Sequence, residues 1–182
     1  MNKIDVKQVV RNVLRDDGDP PSADYSPYDY GAEVAHKVNE ESVPLLITES
    51  LQVLPGSLAE SFLNGVLDHH SIASLKDSLF EALPRGREIG SATAIVSFLL
   101  NRCHMTRLDL VSRLATEIQR TTEAHAQDLY AFAIWLVFGD QKSPPQMNPK
   151  MEDDRLIQST LAKVPTDPLT KYAREILSRC KL

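Results

Sequence analysis

Two of the chain's five histidines sit in one run, Asp68-His69-His70-Ser71, and these are the residues best suited to chemistry. Imidazole binds metal and exchanges protons near neutral pH. A structural zinc site needs about four ligands, and adjacent histidines do not share a helix face as an i, i+4 pair does. The run also reads as a helix end, where histidine complements the C-terminal dipole and Ser71 caps the helix that follows. His36, His104 and His125 lie singly elsewhere. The chain has no Walker-type phosphate loop, dinucleotide fingerprint, His-Glu-x-x-His run or nucleophile elbow. Arg85-Gly86-Arg87-Glu88 places two basic groups at a helix start, where they either meet an anion or form a solvated turn. Glu40-Glu41 and Asp153-Asp154 fall at helix ends, where dipole placement accounts for them. Cys103 and Cys180 read as reduced thiols in the packing. No catalytic residue, cofactor or metal ligand is assigned. The enzyme reading that remains is a metal-assisted hydrolase using His69, His70 and carboxylates.

Charge is more informative. The net charge of −5 is unevenly spread. Residues 1–15 carry Lys3, Lys7, Arg11 and Arg15 against Asp5. Residues 16–60 carry ten acidic groups against Lys37 alone, and the rest of the chain is near balance. A concentrated negative field repels nucleic-acid phosphates and attracts basic proteins, so no direct nucleic-acid binding is expected here. Within that region, residues 16–30 form an acidic loop rich in Tyr and Pro. Tyr25, Tyr28 and Tyr30 fall within six residues, among Asp16, Asp17, Asp19, Asp24 and Asp29, with Pro20, Pro21 and Pro27 stiffening the backbone. Tyrosine gives large contact area at low entropic cost, proline lowers the cost of ordering, and carboxylates steer a basic partner. The same tyrosines can instead pin the loop to its own domain, and both readings can hold together.

The elements that must position this loop are helices. Apolar residues recur at helical spacing over residues 3–15, 30–41, 44–54, 58–67, 71–83, 88–101, 106–118 and 122–138. A short helix around Leu156–Leu161 and a last one bearing Leu169, Tyr172, Ala173, Ile176 and Leu177 complete the chain. Asp29, Ser57, Ser71, Thr106 and Asp167 are the expected N-caps, Ser57 and Glu60 forming a capping box. Residues 140–152 are a Pro-rich connection before the C-terminal helices. The expected fold is all-α: a single helical domain over residues 1–182, with about eight or nine helices packed as antiparallel hairpins, as a globular bundle or a short HEAT-like array. With 42% hydrophobic residues there is enough apolar content for a core. No apolar run approaches the roughly 20 residues that cross a bilayer, and the first residues lack the apolar stretch of a signal peptide. A cytoplasmic location with no membrane partner is expected.

In size, acidity and helical organisation over its whole length, the chain resembles bacterial immunity proteins, including those of contact-dependent growth inhibition systems. The resemblance implies a cytoplasmic antidote that binds a cognate toxin domain, often a basic nuclease, and occludes its active site without a cofactor. On that reading residues 16–41 meet the toxin, with Asp16, Asp17, Asp19, Asp24, Tyr25, Tyr28, Asp29, Tyr30, Glu33, Glu40 and Glu41 as the partner-binding set. The alternative of similar weight is a helical adaptor or scaffold subunit of a larger assembly.

Overall fold

The computed structural model describes residues 5–14, 26–70, 75–138 and 151–180, and nothing else of the chain is described below. Among these residues the fold is entirely helical, with ten α-helices and no strand. That is one or two more helices than expected. The apolar pattern around Leu156–Leu161, read as a short helix, is part of a twelve-residue one. The chain divides into two compact units, residues 1–95 and 96–182, with the division inside the sixth helix.

The first unit contains α1 (Val6–Leu14), α2 (Pro27–Ala35), α3 (Val43–Val53), α4 (Gly56–Leu67), α5 (Lys76–Ala82) and the start of α6 (Ser91–Asn101). Two short 3₁₀ turns, η1 (Glu40–Ser42) and η2 (Leu83–Arg85), precede α3 and follow α5. Its most extensive packing joins α2 to α4, with α1 and α5 both against α3. The core side chains include Val10, Leu46, Ile47, Leu51, Phe62, Leu63, Leu79 and Leu83, all fully buried. Each fully buried large apolar side chain contributes roughly 1.5–3 kcal/mol relative to exposure.

Two glycines allow α2 and α4 to approach. A Cβ on Gly31 would stand 2.1 Å from the Phe62 carbonyl oxygen, and one on Gly65 would stand 2.0 Å from that of Tyr28. Helix surfaces bearing side chains cannot come so close, so this contact belongs to glycine alone. Neither glycine is marked by the apolar spacing of the sequence.

The link between α5 and α6 clamps the turn between α3 and α4. Arg87 donates its backbone N–H to the Leu51 carbonyl at 2.7 Å and its guanidinium to the Val53 carbonyl at 2.9 Å. Glu88 Oε1 accepts from the Gly56 N–H at 2.7 Å. One dipeptide thus satisfies carbonyls at the end of α3 and an amide at the start of α4, groups a helix cannot satisfy itself. The cap expected of Ser57 is not made. The α4 helix starts at Gly56 after Pro55, Ser57 lies inside it, and the carboxylate of Glu88 takes the capping role from far along the chain. Arg85–Glu88, read as an anion contact or a solvated turn, therefore contains a structural clamp.

The second unit contains the end of α6, α7 (Arg107–Arg120), α8 (Ala124–Phe138), α9 (Met151–Ala162) and α10 (Lys171–Cys180). The α8 helix packs on α7 and α10, and α9 packs on α7. Phe98, Leu99, Leu110, Leu114, Leu129, Ile134, Ile157, Leu161 and Leu177 are buried. Thr106 caps α7 as expected, its hydroxyl accepting from the Asp109 N–H at 3.1 Å. For α10 the expected Asp167 cap is replaced by Thr170, whose Oγ1 accepts from the Ala173 N–H at 2.9 Å. Gln127 explains the shift: this buried amide accepts from the Thr170 N–H at 3.0 Å and donates to the Thr121 carbonyl at 3.1 Å. The Thr170 hydroxyl also bonds the Asp128 carboxylate. Between α6 and α7, His104 adopts a left-handed backbone with φ of 51°, where side chains other than glycine are strained. The Pro-rich connection ends sooner than expected, because Met151 and Glu152 already belong to α9; its residues 140–150 lie outside the described part, as does Ser71.

Candidate functional site

Of the residues expected to bind a partner, Asp16, Asp17, Asp19, Asp24 and Tyr25 lie outside the described residues. The others are on α2 and η1. The loop read as residues 16–30 gives way to helix before Tyr30, because Ser26 supplies the cap and Pro27 takes the first helical position. The expected cap, Asp29, instead completes a capping box. It donates its N–H to Ser26 Oγ at 3.2 Å, and its carboxylate accepts from the Ser26 N–H at 3.1 Å. The Ser26 hydroxyl beside it, followed by the Ser26 amide, holds the Asp29 carboxyl below the usual carboxylate range. Asp29 is therefore a fully formed carboxylate at neutral pH.

Tyr28 and Tyr30 face α4 and α1. Tyr28 donates its hydroxyl to the Asp68 carboxylate at 2.5 Å, a charge-assisted bond from the start of α2 to the end of α4. The Tyr30 ring lies 5.9 Å from that of Phe62, and its hydroxyl accepts from Asn12 Nδ2 of α1 at 3.3 Å. These two residues hold α2 in the unit, as the pinning reading has it. Tyr28 remains 40% exposed, so part of its ring is available for contact.

The carboxylates are distributed differently. Asp29, Glu33, Glu40 and Glu41 are all exposed. Lys37, just beyond the end of α2, pairs with Glu33 four residues earlier and is the only cation between residues 26 and 41. Asn39 fixes the start of η1 by accepting from the Ser42 N–H at 3.2 Å. Glu40 and Glu41 follow directly on this capped turn. The site is an anchored helix and a capped turn bearing a net negative surface.

A pairing that no local pattern signals occurs at the far end of α2. His36, its C-cap, packs against His69, just beyond the C-cap of α4, with ring centroids 4.5 Å apart and planes tilted by 52°. His69 thus meets His36 rather than acting with His70 as a pair. Among the described residues no group of three or more His, Cys, Asp and Glu side chains is arranged to hold a metal ion. Among them also, no helix is long and apolar enough to cross a membrane. Comparison with protein families, with curated proteins and with solved structures finds no match.

Proposed function

We propose that this protein is a non-enzymatic inhibitor of the immunity-protein kind. It acts in the cytoplasm, binding a cognate basic toxin domain, a nuclease, through the acidic surface of residues 16–41 and occluding its active site. One observation carries the reading: Tyr28 and Tyr30 anchor α2 while Asp29, Glu33, Glu40 and Glu41 stay exposed on and beside it. Carboxylates carried on an anchored helix and a capped turn attract cationic groups without their backbone first having to be ordered, which favours fast and selective encounter. Basic groups around a nuclease's nucleic-acid site are a natural counterpart, because they are arranged to bind phosphates.

The anchoring also determines the test. Tyr-to-Ala changes at positions 28 and 30 would disturb α2 itself, so the informative variant is Glu33→Gln, Glu40→Gln, Glu41→Gln. Wild type and this variant, matched for helicity, are used to capture proteins from the native cells, and the partners are identified by mass spectrometry. The proposal expects one basic toxin domain, captured by the wild type and depleted with the variant, whose activity an equimolar amount of the protein abolishes. Capture of a multi-protein assembly to the same extent by both would replace the inhibitor with the adaptor.

A further inference from the structure

We propose that His36 and His69 form a two-histidine chelate for one divalent transition-metal ion, joining the C-terminal ends of α2 and α4. Neutral imidazole is a good ligand for such ions. Both rings are exposed and their centroids are 4.5 Å apart. A metal held at roughly 2.0–2.1 Å by one nitrogen of each ring, with the two bonds at about a right angle, separates the centroids by roughly 4.5 Å. A tetrahedral angle widens that separation to about 5.2 Å. The pair thus stands at the spacing of adjacent ligands on a tetragonal ion, the geometry favoured by Cu²⁺ and Ni²⁺. Binding requires that one nitrogen of each ring face the ion at this spacing, with water in the remaining positions.

Two further features favour a cation at this place. His36 is the C-cap of α2, and His69 follows the C-cap of α4, so each ring stands at the negative end of a helix dipole. Asp68, which accepts from the Tyr28 hydroxyl, adjoins His69 and adds a carboxylate at this end, whereas Glu33, one helical turn before His36, is already paired with Lys37. The backbones that carry the rings are set by the Gly31 and Gly65 contact, so their spacing is fixed by the packing of α2 on α4. The site is independent of the inhibitor reading and needs no third protein ligand.

The test uses the full chain freed of metal with a chelator, titrated separately with Cu²⁺, Ni²⁺ and Zn²⁺ chlorides by calorimetry. One equivalent should bind, tightest for Cu²⁺ as the general order for divalent ions requires. His36→Gln and His69→Gln should each weaken binding by at least about tenfold, since loss of an outer-shell partner alone costs that much, while His125→Gln should leave it unchanged. Saturating Ni²⁺ should raise the unfolding midpoint of the wild type by about 5 °C. The electron paramagnetic resonance spectrum of the wild-type Cu²⁺ adduct should show two imidazole nitrogens, a readout that does not depend on how the variants fold. No binding up to about 1 mM metal, a weak-affinity limit, would overturn the proposal. So would binding of equal strength in either histidine variant, or a spectrum with one imidazole nitrogen.

Discussion

At Cys180, burial on the inner face of α10 pushes the thiol from an ordinary value of 9.0 up to about 11. Tyr130 on α8 is pushed from 10.0 to about 12, chiefly by burial and then by the nearby Glu117 charge. Both groups are favoured in their neutral form by folding. The stability this contributes is complete below pH 9 and is lost as pH rises through the interval to about 12. The denaturation midpoint should therefore fall between pH 9 and 12, with a shallower fall for Cys180→Ala. A thiol reagent at pH 8 should modify Cys103, which is partly exposed, well before Cys180, and denaturant should abolish the difference. Equal rates in the folded protein would contradict the burial of Cys180. At this scale the sequence was legible where a residue's partner is local. Thr106 caps α7 through a residue three positions on. Ser57 and Asp167 carry equally good local signals, yet remote groups decide the caps: Glu88 does the work at α4, and Gln127 positions the neighbouring Thr170 to cap α10. A local pattern cannot register a partner tens of residues away.

At the scale of elements, the helices follow from apolar spacing and differ mainly at their ends. The pairing of α2 with α4 does not follow, because its signature is the absence of a side chain at Gly31 and Gly65. Gly65→Ala puts a methyl against the Tyr28 backbone and should cost about 2–4 kcal/mol, an overpacking penalty measurable by urea unfolding. A cost below about 0.5 kcal/mol, the range of ordinary surface changes, would mean that the helices do not approach as described. Glu88→Ala leaves the first amide of α4 without its carboxylate and should cost about 1–2 kcal/mol, while Ser57→Ala should change stability by less than about 0.5 kcal/mol. The opposite ranking would restore the local capping box. The same packing that was invisible in the sequence brings His36 to His69, so the candidate metal-binding pair was not legible either.

For the whole molecule, each compact unit has its own polar lock: Arg87 and Glu88 in the first, Gln127 in the second. Gln127→Ala would leave the Thr170 N–H and the Thr121 carbonyl without their bonds and should cost about 2–3 kcal/mol. A melting temperature unchanged from the wild type would contradict that role. Charge is the one global property that simple counting of residues made plain. The excess of carboxylates between residues 16 and 60 reappears in the structure as the exposed Asp29, Glu33, Glu40 and Glu41. What counting could not divide was the work of the loop's tyrosines, because a tyrosine that anchors and one that recognises have the same side chain. Tyr28 and Tyr30 act as anchors through Asp68, Phe62 and Asn12, and the proposed inhibitor accordingly assigns recognition chiefly to the carboxylates. The most direct measurement of that central claim is the association rate constant with the captured partner across a range of salt, for wild type and for the Glu33→Gln, Glu40→Gln, Glu41→Gln variant. The account predicts a wild-type rate that falls steeply as salt rises, and a variant about tenfold slower at low salt with a flatter dependence. Equal rates and equal salt dependence in the two proteins would contradict it.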